Sequence, residues 1–236
     1  MTQAHLFAAK DIACRWFAYF EGRTEPLEQH LDMFTNNICL VHAGKHLLAN
    51  NRSNLKTWFK TVPSETSSHF IEEYQFNMLS QDKAELKMKV AYQSLGENGA
   101  LAGALIDYQT EIEFDTDNKA RFCFIQKTPV TPNPANVFSP SFRLNRIESL
   151  HSRLLYLQRL NTSSLYAELF DNEQTQQQVV SKLCTLSPLD LGRISFNYDD
   201  ETSVDTEQSA DQQPPIKLIV TEREKRYLTI RGISGI

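Results

Sequence analysis

The chain has 236 residues, 24 Lys plus Arg against 29 Asp plus Glu, a formal net charge of −5, and 41% hydrophobic residues. That is enough apolar material for one large or two small domains, and its mild acidity gives no reason to expect nucleic acid. No run reaches the ~18 apolar residues of a membrane span, and MTQAHLFAAKDIACRW lacks a signal-peptide pattern, so a soluble cytoplasmic protein with no membrane partner is expected.

Residues 5–21 set Leu6, Ala9, Ile12, Ala13, Trp16, Phe17 and Phe20 at helical spacing, and Gly22 ends the stripe. A second helix opens near Pro26 and carries Leu27, His30, Leu31 and Phe34 until Asn36 and Asn37 stop it. Ile38 to His42 read as a strand, Ala43–Gly44 as a turn and Lys45 to Leu48 as a return strand. Asn51 or Ser53 caps a third helix with Leu55, Trp58, Phe59 and Val62 inside, closed by Pro63. From Ser67 the period becomes two. Phe70, Glu72, Tyr74, Phe76 and Met78 share one face, followed by strands around Ala84–Tyr92, Ile106–Phe114 and Phe122–Phe124. The prediction is an α+β meander with three helices on one sheet face.

Residues 128–141 hold four of the nine prolines and read as a linker or wrapped strap between a domain at 1–127 and a shorter one at 142–236. The second half abbreviates the first: helices around Ile147–Leu157, Leu165–Phe170 and Val179–Leu183, then strands at 192–198, 216–221 and 227–233. Tyr19, Thr24 and Leu31 to Phe34 echo Tyr156, Thr162 and Ala167 to Phe170, so a degenerate tandem repeat stands beside an unrelated helical extension. Residues 199–215 carry six acids and no base and read as a disordered, solvated loop. Without them the chain has a net charge of +1, so the folded body is nearly neutral.

Four single cysteines outside any CxxC pair, and histidines without a carboxylate in helical register, give no metal site, and no cofactor is expected. Trp16, Trp58, Phe17 and Phe59 read as core, or as an aromatic ligand box. Glu72 interrupts an apolar face, so it is either a pocket acid near Tyr19 or His42 or the partner of Arg15. Asp107 falls on the polar face of its strand unless a bulge near Gly99 or Gly103 reverses the alternation.

Residues 27–44 (LEQHLDMFTNNICLVHAG), RSNLKTWFKTVP and SSHFIEEYQFNMLSQDKAELKMKVAY resemble the nuclear-transport-factor-2-like superfamily, which includes the polyketide-cyclase-like (SnoaL-like) proteins of bacteria, scytalone dehydratase and ketosteroid isomerase. The resemblance covers residues 5–127 and implies a cone: a curved antiparallel sheet and helices around a pocket. It places His42 where ketosteroid isomerases carry a base, Asp107 on their oxyanion-donor strand and His69 near a histidine of scytalone-dehydratase-like members. Arg15 or Trp16, with Tyr19 a turn away, falls near the family's oxyanion tyrosine. The implied activity is proton transfer on a small apolar or partly apolar molecule by an isomerase, dehydratase or cyclase. His42, His69, Glu72 and Asp107 are its catalytic candidates, and Tyr19, Trp16, Tyr74 and Trp58 bind substrate. The alternative is a non-catalytic dimerisation or interaction module with a residual pocket; a homodimer is expected either way.

Overall fold

In the computed structural model, residues 2–22, 24–116, 119–160, 169–185, 194–198, 217–223 and 227–234 are described. The chain divides into two compact units, Met1–Ser149 and Leu150–Ile236. No helix among the described residues is long and apolar enough to cross a membrane.

The first unit opens with α1 (Thr2–Gly22), whose Ala9, Ala13, Trp16 and Phe17 are fully buried. The helix expected to reach Phe34 is shorter: α2 (Leu27–His30) tightens into a 3-10 turn over Leu31–Met33, and Phe34 already belongs to β1 (Phe34–His42). Parallel pairing of Phe34 with Phe122 sets this boundary, because as a strand residue Phe34 is fully buried against that ring. β2 (His46–Ala49) returns along β1, and α3 (Arg52–Phe59) follows, its first turn capped by the Asn51 side chain accepting from the Asn54 amide. Val62 lies beyond the end of α3.

Four long strands complete the sheet: β3 (Thr66–Met78), β4 (Lys83–Leu95), β5 (Leu101–Phe114) and β6 (Ala120–Pro132). The order is β2-β1-β6-β5-β4-β3, antiparallel except for β1 against β6. Leu86, Thr110, Ile125 and Leu40 form one buried row, and Tyr74, Met88, Tyr108, Lys127 and His42 form the next row on the same inner face. The result is an α+β fold with a six-stranded sheet and its helices on one face.

Two irregularities decide which residues reach that face. β3 carries a bulge between Ile71 and Glu73, so Glu72 has no counterpart on β4, whereas Ile71 pairs with Val90 and Glu73 with Lys89. The expected single face is therefore split: Phe70 is 46% exposed and Glu72 is exposed, while Tyr74 stays inward. The second irregularity concerns prolines. β6 extends to Pro132 through residues read from sequence as strap, because β1 pairing ends at Lys127, where Ala43 N–H donates to the Lys127 carbonyl at 2.8 Å. Beyond that point one edge of β6 is open, so Pro129 and Pro132 remove no ladder donor on that side.

The segment after β6 is tied to the same unit. Asn133 donates to the Tyr92 carbonyl at 3.0 Å, and buried Gln93 holds Val137 and Ser139 through its amide at 2.9 Å each. It leads into α4 (Phe142–Leu160), which continues into the second unit.

In the second unit, Asn172 caps α5 (Glu173–Thr185) by accepting from the Thr175 amide at 2.9 Å, as Asn51 caps α3. β7 (Ser195–Tyr198), β8 (Lys217–Arg223) and β9 (Tyr227–Ser234) form a three-stranded sheet. Phe170 bridges in parallel to Ile230 of the last strand, as Phe34 does to Phe122 in the first unit. β7 runs parallel to β8, a pairing that an antiparallel meander lacks. The expected helix around Leu165 and the acidic loop 199–215 lie outside the described residues.

Candidate active site

The inner face of the cone gathers one polar cluster among aromatic walls. Glu21, on the last turn of α1, is inward because it follows Phe17 by four residues, and its side chain is only 1% exposed. One oxygen, Oε1, accepts from the His69 amide at 2.8 Å, the Ser141 hydroxyl at 2.8 Å and the Asn145 amide at 3.2 Å, and it lies 3.3 Å from His69 Nδ1. Its other oxygen, Oε2, is buried without a partner. Ser141 also accepts from the Ser68 hydroxyl and the His69 amide, and Asn145 donates to the His69 carbonyl. The end of the strap and the first turn of α4 therefore deliver two side chains that fix the carboxylate and the histidine backbone together.

Around the His69 ring stand Phe17 (5.3 Å, stacked), Phe20 (5.9 Å) and Tyr92 (5.0 Å). The side chain keeps 11% of its surface exposed. A carboxylate beside Nδ1 favours the tautomer with the proton on that nitrogen, which would leave Nε2 bare. Burial and then the hydrogen bond to Glu65 push the Tyr92 hydroxyl up to about 12, so it remains a neutral phenol at the rim.

The other predicted residues are spread over the unit. His42 lies at the end of β1, paired with Lys127 and His46, and does not touch His69. Asp107 is exposed on the opposite sheet face, in a basin of about 370 Å³ lined by Glu73, Lys87, Lys89, Gln109 and Gln126. Glu72 is the exposed bulge residue, and both readings of it as a buried acid are corrected: the partner of Arg15 is Glu25, at 2.8 Å. The structure thus does not bring His42, His69, Glu72 and Asp107 together.

Trp16 and Tyr19 are buried, Tyr74 accepts or donates to Cys14 Sγ at 3.3 Å, and Trp58 remains partly open between Phe20 and Lys127. Tyr19 stacks on fully buried His30 at 3.8 Å, and His30 Nδ1 lies 3.0 Å from Glu25. Burial alone would raise the Glu25 carboxyl, but His30 and Arg15 outweigh it and hold it at about 2. Through His30 this ion cluster lies against Trp16 and Tyr19.

The sequence reading missed Glu21, Ser141, Asn145 and Lys127. A charged residue four positions after Phe17 on an otherwise apolar stripe was the available signal for Glu21. Ser141 and Asn145 gave none, since their role depends on where the strap ends. Among the described residues no group of three His, Cys, Asp or Glu side chains is placed to hold a metal ion.

Fold and site together define the first unit as an α+β cone that holds a histidine–carboxylate pair between aromatic walls. No family model and no curated protein sequence matches the chain. Several solved structures are similar to part of the chain at low identity. A candidate scytalone dehydratase from Novosphingobium aromaticivorans shares 14% identity with a TM-score of 0.48, covering 59% of this chain and 95% of that one. A hexachlorocyclohexane dehydrochlorinase, LinA-type3, from Novosphingobium barchaimii shares 16% at 0.46, covering 56% and 92%. An NTF2-like protein with a cystatin-like fold from Novosphingobium aromaticivorans shares 9% at 0.43, covering 58% and 85%.

Proposed function

We propose that the first unit binds a small, largely apolar molecule and catalyses proton transfer on it, as an isomerase, dehydratase or eliminating enzyme would. The observation that carries this reading is the pair Glu21–His69: a buried carboxylate 3.3 Å from Nδ1 of a histidine whose ring is framed by Phe17, Phe20 and Tyr92. Glu21 orients the ring and stabilises the imidazolium that forms when Nε2 takes a proton, while apolar walls exclude water and strengthen that interaction. Tyr92, kept neutral, is a hydrogen-bond donor at the rim once displaced from Glu65.

His42 and Asp107 take no part in this step, and Glu72 is not an acid of the site. The test is a panel of apolar ketones and β-substituted carbonyl compounds, followed by NMR for solvent-deuterium incorporation or elimination. A compound turned over by the wild type should lose at least roughly a hundredfold in rate with His69→Gln. Turnover untouched by His69→Gln would refute the assignment.

A further inference from the structure

At the far end of the inner row from β3, the sheet presents cations without an acid. Lys127 pairs with His42 across β6 and β1, and His42 pairs with His46, their rings 6.5 Å apart. Lys127 Nζ sits 5.5 Å from the centre of the Trp58 ring. Among the described residues no carboxylate bonds to Lys127, His42 or His46, and the charges acting on His42 are Lys127 and His46 themselves. His42 Nδ1 is buried with no hydrogen-bond partner. Burial pushes the Lys127 ammonium below its usual value, with no acid to counter it.

An ammonium placed inward over an indole face, beside an unsatisfied imidazole nitrogen, costs stability unless something compensates it. Elsewhere on this sheet lysines are matched: Lys83 with Glu111 and Lys89 with Glu73. Among the described residues Lys127 on the inner face has no such partner. The walls continue from here to the dyad. Trp58 meets Phe20 at 6.1 Å and Phe20 meets His69; Tyr108, paired with Lys127, meets Phe17 at 5.1 Å and Phe17 stacks on His69.

We infer that Lys127, His42 and His46 form an anion subsite that takes the acidic head group of a flat organic acid, with Trp58 as the stacking wall for its apolar body. Lys127 supplies the charge, His42 Nδ1 a hydrogen bond when protonated, and Trp58 the π-face that the ligand shares with the ammonium. The subsite stands on its own geometry. Naming an aryl or polycyclic acid as substrate class rests on the proton-transfer reading of the same inner face.

The test uses benzoate as probe, with benzamide as its uncharged counterpart and acetate as the charge without the ring, titrated calorimetrically into the full chain. Benzoate should bind at least about tenfold more tightly than either control. Lys127→Met should weaken benzoate about tenfold or more and leave benzamide unchanged. Retained benzoate binding in His69→Gln is expected. Equal affinity for benzoate and benzamide, no benzoate binding by folded wild type, or benzoate affinity indifferent to Lys127→Met would overturn the subsite. If benzoate binds through Lys127 but no compound is turned over, the subsite stands and the proton-transfer reading falls. If neutral compounds are turned over while benzoate ignores Lys127, the subsite falls alone.

Discussion

Replacing Glu25 by Gln removes the charge that holds Arg15 and His30 together. In the folded chain its carboxyl accepts from Arg15 at 2.8 and 3.1 Å and from His30 at 3.0 Å, and its pKa lies at about 2 instead of 4.5. Each unit is worth roughly 1.4 kcal/mol, so the ionised form contributes about 3 kcal/mol of stability. The folded value is depressed, so this contribution is complete above 4.5 and disappears as pH falls toward 2. Urea unfolding of wild type and Glu25→Gln, followed by tryptophan fluorescence at a series of pH values, measures it. The variant should be about 3 kcal/mol less stable at neutral pH, and the gap should close through the acid range. Carboxylates common to both proteins cancel in that difference. A gap that is constant with pH, or smaller than about 0.5 kcal/mol at neutral pH, would refute the reasoning.

A methyl group at Gly103 would meet the Tyr92 carbonyl at 2.3 Å, so Gly103→Ala should destabilise by roughly 2 kcal/mol or more in the same unfolding assay. Ala43 sits at φ 51° in the turn after His42, a left-handed conformation costing about 1 kcal/mol for a side-chain-bearing residue, so Ala43→Gly should leave stability equal or up to about 1 kcal/mol higher. Ser141→Ala removes the hydroxyl that links Glu21, Ser68 and His69, and should cost about 1–3 kcal/mol, whereas Ser139→Ala at an exposed position should cost less than about 0.5.

Periodicity located α1, α3 and the four long strands, because apolar residues recur at the element's own period over much of each. It failed where a local choice depends on distant partners. Phe34 looks like the end of a helix until Phe122 is beside it. Glu72 looks inward until a bulge removes it from the alternation, and nothing in FIEEY marks which residue is extra. The site divided similarly. His69 was legible because a histidine heads an amphipathic strand and resembles one in a known family. Its partner Glu21 was hidden at a helix end, and Lys127, the last charge before the proline-containing segment, was assigned no role. Ser141 and Asn145 reach the dyad only because the proline-containing segment is tethered to Gln93 and Tyr92.

The claim that His69 is a base oriented by Glu21 can be measured on the imidazole itself. Long-range proton–nitrogen NMR of the neutral ring reports which nitrogen carries the proton. The geometry predicts Nδ1–H, bonded to Glu21 Oε1 at 3.3 Å, and a bare Nε2, with that preference lost in Glu21→Ala. A proton on Nε2 with Nδ1 bare would contradict it, because Glu21 would then be the donor and the pair would present no base to a substrate.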